Sequence, residues 1–289
     1  MASPSQPAQP APPLDAFDAF GAFEAQARTF GFRAGLPPTV CHAAAEAVVD
    51  RAPAGTSSAI LDVGAGTGDV GLDLAARCPG YRGIDLSPAM LAIFRARSAE
   101  RGLSPDLAVA DARVRWPVTD GSLDAVFGSR SLHFLDADHL ASEVYRVAAR
   151  AGAVLLVGRV LRDERGPRDR IRREMVSALR EAGLRGRGYR GPSAALRACE
   201  GLGAAPLPEV RVAAFAVEFT PRRAIEQWRE KPGLDGIGLP AALKAEILAR
   251  VERFAARELG DVDAPLVSEE CYVLGGVSIP PRPRGPSGA

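Results

Sequence analysis

The sequence predicts an α/β protein built on a doubly wound, mostly parallel sheet. Apolar strand-like segments alternate with helical segments between residues 57 and 158, and a glycine-rich turn, ILDVGAGTGDVG, ends the first strand at residues 60–71. Parallel strands need helical crossovers, so this alternation predicts helices on both faces of the sheet. Counting two further strand-like segments after residue 206, the chain contains seven, which predicts a seven-stranded sheet.

The strands are short apolar segments bounded by polar or glycine-rich residues. They are SAILDV (58–63), YRGID (81–85), DLAVAD (106–111), LDAVFGS (123–129), AVLLVGRV (153–160), VRVAAFAVEF (210–219) and EECYVLGGVSI (269–279).

The helices have start and stop signals of their own. We expect a helix at about 38–52, with Thr39 as its candidate N-cap. The segment after the second strand has Ser87 as its N-cap, Pro88 at its first position and Gly102 as its stop. Further helices are expected at 69–77, at 136–152, at 167–182, from Ser193 onward, and within an insert at 221–258.

Composition and spacing predict one large domain between two tails. Residues 1–13 and 281–289 are rich in proline, alanine, serine and glycine, which is typical of disordered tails. The domain would cover residues 14–280, made of N-terminal cap helices (14–52), a ligand-binding core (57–158), a lid and helix (159–206), and C-terminal strands with a helical insert (207–280).

Charge and cysteine content narrow the class of protein. The net charge of +1 gives no overall attraction to nucleic acid, and no apolar run is long enough to predict a membrane span. The four cysteines are far apart and have no histidine cluster beside them, which argues against zinc, other metals and a disulfide framework. This pattern favours a reducing, cytoplasmic location. The sequence contains no signal for an oligomeric state.

The glycine turn predicts a cofactor site at the carboxyl end of the first strand. Both dinucleotides and S-adenosylmethionine bind in this position. The formal G-x-G-x-x-G at Gly66, Gly68 and Gly71 begins three residues past the strand, too late for a dinucleotide turn. In the frame that starts at Gly64, Asp69 replaces the third glycine and would place a carboxylate where a pyrophosphate should lie.

Five segments resemble, in order, the motifs of class I S-adenosylmethionine-dependent methyltransferases of the small-molecule type. They are LDVGAGTG, GIDLSPAML, VADA, LDAVFGSRSLHFLD and VYRVAARAGAVLLVG. FEAQARTF also resembles the family's N-terminal helix, with Phe30 where tyrosine is commoner. The resemblance covers about residues 23–158, and it implies S-adenosyl-L-methionine as cofactor and S-adenosyl-L-homocysteine as product.

The resemblance also implies roles for individual residues. The backbone of Gly64, Ala65 and Gly66 would pass beneath the methionine part of the cofactor, and Phe30 would cover it. Asp62 would hold the amino group through water, and Asp85 would accept hydrogen bonds from both ribose hydroxyls. The remaining cofactor residues would be Leu86 and Met90 beside the adenine, Asp111 on its amino group, the Ala112 amide on its ring nitrogen, and the Ser129 carbonyl near the cofactor amino group. Asp62 and Asp111 have structural alternatives as caps or buried polar groups, and Met90 as an ordinary core residue.

The family chemistry is an in-line displacement at a sulfonium carbon, in which alignment of the reacting atoms does much of the work. His133 is the candidate general base for an acceptor that keeps its proton, and its alternative role is in packing. The segment Ser129-Arg130-Ser131 lacks the acidic pair of magnesium-dependent O-methyltransferases. We expect methyl transfer to a small-molecule or carrier-bound acceptor, with O-methylation in secondary-metabolite biosynthesis favoured. The alternatives are N- or C-methylation, non-methylating chemistry on the same fold, and a nicotinamide-dependent oxidoreductase.

An arginine-rich segment follows the fifth strand. Residues 159–197 contain twelve arginines and five acidic residues, and Arg172 and Arg173 are adjacent. Guanidinium groups grip carboxylates and phosphates with paired hydrogen bonds, so the segment predicts a lid that binds an anionic or carrier-protein-bound acceptor. The alternative is a solvated helical face.

Overall fold

The computed structural model describes residues 35–185, 193–231 and 233–281 of the chain. The predicted helix around Phe30, the N-terminal tail and all but the first residue of the C-terminal tail lie outside the described residues.

Nine strands occur in the described residues. They are β1 (Ile60–Val63), β2 (Tyr81–Asp85), β3 (Asp106–Val109), β4 (Ala125–Ser129), β5 (Ala153–Arg162), β6 (Ala205–Phe219), β7 (Gly233–Leu234), β8 (Ile237–Gly238) and β9 (Leu266–Ile279).

Eight α-helices are described with them, and none is both long and apolar enough to span a membrane. They are α1 (Pro38–Arg51), α2 (Gly71–Arg77), α3 (Pro88–Glu100), α4 (Ala137–Val147), α5 (Pro167–Glu181), α6 (Ser193–Gly201), α7 (Pro221–Arg229) and α8 (Ala241–Leu259).

The main sheet has seven strands in the order β3-β2-β1-β4-β5-β9-β6. β1 pairs in parallel with β2 on one side and with β4 on the other, while β3 and β5 extend the parallel part outward. The predicted doubly wound, mostly parallel sheet is thus confirmed. Its strand order reverses direction between β1 and β4, and ligands bind at the carboxyl ends of the strands that flank such a switch point.

β1 is buried on both sides because other elements cover both faces of the sheet. Ile60 and Leu61 are both inaccessible to solvent and belong to different hydrophobic clusters, as the two-residue period of a strand requires. Phe94 of α3 packs into the cluster with Ile60, and Trp116 into the cluster with Leu61. This double burial explains the continuous apolar run before the glycine turn.

Two compact units are found in the chain. One contains the described residues of 162–189 and 216–269, and the other contains residues 35–161, the described residues of 190–215, and 270–281. In the first unit, α5, α7 and α8 surround a core that includes Ile171, Leu179 and Val251. A single domain over residues 14–280 stays a prediction.

Helix caps follow the sequence signals at α3 and depart from them at α1. The Ser87 hydroxyl accepts a hydrogen bond from the Met90 amide at 3.2 Å, as predicted. The N-cap of α1 is Pro37, so the assignment of Thr39 was wrong. Pro38 already occupies the first helical position, where a missing N–H costs nothing and the fixed φ suits the helix.

The two-stranded β7–β8 hairpin was not predicted within the 221–258 insert. Asp235 and Gly236 form its turn, with φ of 47° and 80°. An Asp-Gly pair is the usual sequence of such two-residue turns, because both residues need positive φ. LDGIG therefore carried a readable signal for the hairpin.

Candidate functional site

The glycine loop connects β1 to α2 and lies at the switch point of the sheet. The Gly64 and Ala65 amides both donate to the Ile84 carbonyl, at 2.8 and 3.0 Å, which fixes the start of the loop to β2. Gly64 and Gly66 have φ of 77° and 56°, in the left-handed region that favours glycine.

The two glycines face different surroundings. A Cβ at Gly64 would lie 2.4 Å from the Cβ of Ser131, so this position is closed by the segment after β4. A Cβ at Gly66 would meet no atom closer than the Gly64 oxygen at 4.0 Å. The loop therefore leaves open space at Gly66, where a ligand can approach the backbone, whereas Gly64 is needed for close packing.

Asp85 ends β2 and contacts the loop directly. Its Oδ2 accepts from the Gly66 amide at 2.8 Å and its Oδ1 from the Ser87 amide at 2.9 Å. The carboxylate is half-buried. A carboxylate has about four acceptor sites, so Asp85 keeps acceptor capacity for hydroxyl groups beside Gly66. Leu86 follows it half-buried, and Met90 is 3% exposed.

Asp62 lies beneath the loop, in contact with a tyrosine that the sequence interpretation did not include. The Tyr81 hydroxyl donates to its Oδ2 at 2.9 Å, and both side chains are buried. Burial raises the pKa of Asp62 to about 7; the Tyr81 hydrogen bond opposes this rise and the charge of Asp85 adds to it. A Cβ at Gly71 would lie 2.4 Å from the Tyr81 hydroxyl and one at Gly83 would lie 3.2 Å from it, so these two glycines leave room for the contact. The sequence spacing carries no signal for this contact, because it depends on the register of β1 against β2.

Asp111 and Ala112 follow β3 and are both half-buried. Asp111 accepts from Arg113 Nε at 2.9 Å and from its Nη2 at 2.8 Å, and this guanidinium holds the pKa of Asp111 below its ordinary value. The Ala112 carbonyl accepts from Trp116 Nε1 at 3.0 Å and lies 3.1 Å from His139 Nε2. His139, half-buried on α4, therefore lies against this segment.

The segment after β4 closes the other side of the switch point. Ser129 Oγ is 2.8 Å from the hydroxyl of the buried Tyr272, and Ser131 Oγ donates to the Val63 carbonyl at 2.5 Å. The His133 residue as a whole is exposed, but its ring lies against Phe134, with the two ring centroids 3.9 Å apart. Neighbouring protein atoms displace water from the ring and lower the pKa of His133, which favours the neutral imidazole that a general base requires.

The negative charge of Asp69 is compensated by two arginines. Its carboxylate is within 3.3 Å of Arg97 Nη1 and within 3.2 Å of Arg130 Nη2. The repulsion of a pyrophosphate by Asp69, expected from the sequence, is therefore weakened by two compensating guanidinium groups.

The arginines proposed for the acceptor belong to α5, in the other compact unit. Arg172 Nη2 lies 3.3 Å from Asp235 Oδ1, and Arg173 Nε lies 3.2 Å from Asp169 Oδ2. Both line an open cleft of about 1210 Å³, together with Arg170, Glu174, Val176, Ser177, Arg180, Gly183, Arg185, Asp235 and Phe254. None of the ion pairs among the described residues includes Arg180 or Arg185, so these two contribute most of the uncompensated charge.

Sequence comparisons with known proteins match the part of the chain that contains the glycine loop. Residues 60–152 match the family described as a methyltransferase domain. A 119-residue segment is 39% identical to the demethylmenaquinone methyltransferase of Thermus thermophilus, covering 39% of this chain and 51% of that protein. A 98-residue segment is 36% identical to the malonyl-[acyl-carrier protein] O-methyltransferase of Xylella fastidiosa, covering 34% of this chain and 33% of that protein.

The fold is similar to that of solved structures at lower identity. The chain superposes on a candidate methyltransferase of Bacillus halodurans C-125 with a TM-score of 0.53 and 18% identity, covering 82% of this chain and 98% of the other. The curated relatives are matched over much less of their length: the chain spans about half of the first of them, 51%.

Proposed function

We propose that residues 60–152, which match the family described as a methyltransferase domain, bind S-adenosylmethionine at the glycine loop, and that the chain transfers the methyl group to a small-molecule or carrier-bound acceptor. One observation carries the proposal: at the switch point of the sheet, the open backbone position Gly66 is hydrogen-bonded to the Asp85 carboxylate.

The residues present suit this cofactor. S-adenosylmethionine has a sulfonium cation, an ammonium group and a ribose with two free hydroxyls, and it has no phosphate. Gly66 offers open backbone, Asp85 offers carboxylate oxygens for the ribose, and Leu86 offers an apolar surface for the adenine. Asp85 beside the open backbone of Gly66 suits the ribose hydroxyls, and a ligand without phosphate avoids the repulsion that this carboxylate would exert on a pyrophosphate.

The remaining cofactor contacts belong to the same proposal. Ala65 and Gly64 would support the methionine part through their backbone, and Asp62 would act from beneath the loop. The Asp111 carboxylate already accepts hydrogen bonds from Arg113, so it would accept the hydrogen bond of the adenine amino group on its remaining acceptor sites. The Ala112 amide and the Ser129 carbonyl keep their proposed roles, with Ala112 held by Trp116 and Ser129 by Tyr272. Met90 is buried enough to serve the core as well, and Phe30 stays a proposal.

When bound, the cofactor supplies an activated methyl group, so the protein has to align the acceptor and exclude competing water. The His133 ring follows β4, and its lowered pKa favours the neutral imidazole, which can accept the proton of a hydroxyl acceptor. An acceptor that is already deprotonated, such as a carboxylate, would need no base, and His133 would then only position it.

We propose an anionic acceptor, with O-methylation favoured in a biosynthetic pathway. The support is the arginine-lined cleft of α5, where Arg172 and Arg173 would exchange their acidic partners for the carboxylate or phosphate of the ligand. The Xylella relative is named for a carrier-bound acceptor and the Thermus relative for a quinone precursor, so carrier-bound and free acceptors are both compatible with the family.

Two measurements on the purified chain test the proposal. Calorimetric titration should show binding of S-adenosylhomocysteine and no binding of NAD. Mass spectrometry of candidate acceptors should then show the gain of one methylene unit. Binding of NAD alone would overturn the proposal in favour of an oxidoreductase. Binding of S-adenosylhomocysteine with no methylated product from a broad acceptor set would favour non-methylating chemistry on the same fold.

A further inference from the structure

The outer half of the glycine loop, Thr67 to Asp69, is held by two arginines from separate elements. Arg97 extends from α3, and Arg130 follows β4 directly. Their guanidinium groups reach the same carboxylate, that of Asp69, which is only 14% exposed. Arg97 lies on the helix between β2 and β3, and Arg130 follows β4; β2 and β4 flank β1 in the sheet order.

Arg97 contacts both the backbone and the side chains of this segment. Its Nη1 donates to the Thr67 carbonyl at 2.7 Å and lies 3.3 Å from Asp69 Oδ1. Thr67 Oγ1 donates to the same Asp69 oxygen at 3.3 Å, and Thr67 is 5% exposed. One guanidinium therefore contacts two points of the loop; the Arg97 side chain is 38% exposed, while Thr67 and Asp69 are largely buried.

Arg130 holds its position with an unusual backbone. Its φ is 60°, in the region that favours glycine, and its amide donates to the Gly158 carbonyl at 3.0 Å. Contact between the Cβ and the backbone disfavours a non-glycine residue in this region. Glycine would satisfy the backbone here without that cost, so the guanidinium that reaches Asp69 Oδ2 at 3.2 Å is the feature that arginine adds.

We propose that Arg97 and Arg130 are positioning residues, which act through Asp69 to hold the glycine loop in its cofactor-binding shape. This inference rests on the proposed function of the loop. Gly66 lies between two anchors: Asp85 holds its amide, and the arginine pair holds the residues that follow it. With the outer anchor lost, the loop would sample other shapes, and each binding event would have to restore the open one.

The chain provides a matched control for a purely structural ion pair. Arg101, which follows α3 directly, lies 2.8 Å from Asp73 of α2 and contacts no loop residue among the described ones. Arg101→Ala therefore removes an α2–α3 ion pair without touching Thr67, Gly68 or Asp69. We call the contacts of Arg97 and Arg130 with Asp69 the clamp. If the clamp only supported the fold, its loss would affect cofactor binding no more than the loss of this control ion pair does.

The test compares Arg97→Ala, Arg130→Gly and Asp69→Asn with Arg101→Ala, all in the full chain. We expect the dissociation constant for S-adenosylhomocysteine to rise about tenfold in the first three, the effect of losing one charge-assisted hydrogen bond, and to change less than about twofold in the control. Arg97→Lys should restore part of the affinity. Arg130→Gly should keep the melting temperature near that of the wild type because it relieves the backbone, so its loss of binding would not reflect unfolding.

Amide hydrogen exchange of the free protein gives a readout that is independent of the cofactor. The amides of a peptide covering residues 64–70 should exchange faster than in the wild type in the three clamp variants. In Arg101→Ala their exchange rate should equal that of the wild type. Unchanged affinity together with unchanged exchange would overturn the clamp while leaving the cofactor site in place. A wild-type chain that fails to bind S-adenosylhomocysteine would instead overturn the proposed function, whatever the exchange shows.

Discussion

At the scale of single residues, the buried Asp62–Tyr81 pair links the cofactor loop to the pH dependence of stability. The pKa of Asp62 is about 7 in the folded chain, and an unfolded aspartate titrates near about 3.9. Between these values the folded chain holds a proton that the unfolded chain has lost. The free energy of unfolding contributed by Asp62 therefore falls as pH rises through this window, and then levels off.

Asp62→Asn should remove this dependence. Urea unfolding at pH 5 and pH 8 should show the wild type losing more stability with rising pH than the variant, by about 1 to 3 kcal/mol. Tyr81→Phe deletes the hydrogen bond that favours the carboxylate, so the window should extend to higher pH. Equal slopes in all three proteins would show that Asp62 is ionised throughout, and would contradict its burial as described.

At the scale of elements, substitutions at two glycines can separate the cost of backbone strain from the loss of ligand access to the glycine loop. Gly66 and Gly102 have similar φ, 56° and 68°, and a Cβ would meet open space at either position. Gly102 ends α3 and belongs to no proposed contact. The two positions are therefore matched in strain and differ in function.

Gly66→Ala and Gly102→Ala should each lower the free energy of unfolding by about 1 to 2 kcal/mol, the cost of a left-handed non-glycine residue. Only Gly66→Ala should weaken S-adenosylhomocysteine binding, and Gly66→Val should abolish it because a branched side chain fills the open space. Chemical denaturation and calorimetry on the same samples check both effects. Normal binding by Gly66→Val would place the cofactor elsewhere.

The helices and strands could be predicted from the sequence wherever a single hydrophobic periodicity dominated. β1, β2 and α3 follow from buried apolar runs and from the Ser87-Pro88 start, because these signals are local in the chain. The Tyr81–Asp62 bond needed the register of β1 against β2, which sequence spacing alone does not specify. The meeting of Arg97 and Arg130 at Asp69 needed the tertiary path of three elements, so a pattern search along the chain could not find it.

At the scale of the whole molecule, positive and negative charges nearly cancel, but they are unevenly distributed along the chain. The net charge is +1, yet five arginines and two acidic residues line the cleft of α5. Long-range attraction by such a cleft is screened by salt. The proposal of an anionic acceptor therefore predicts different salt responses for the two substrates.

The Michaelis constant of the acceptor should rise between about 0.05 and about 0.5 M salt, while that of the cofactor changes much less. The double variant Arg172→Ala/Arg173→Ala should raise the acceptor constant about tenfold. Arg223→Ala/Arg253→Ala removes the same charge from positions outside the cleft and should leave it near the wild-type value. Equal effects of the two double variants would show that only overall charge matters.

The most direct test of the account is the affinity of S-adenosylhomocysteine for Asp85→Ala, measured by calorimetry beside the wild type and Asp50→Ala. Asp50 is exposed on α1, away from the loop, and controls for the loss of one carboxylate. We expect Asp85→Ala to raise the dissociation constant about 10- to 100-fold, because a half-buried ribose site loses its charged acceptor, and Asp50→Ala to leave it unchanged. A folded Asp85→Ala protein that binds S-adenosylhomocysteine with wild-type affinity would contradict the account.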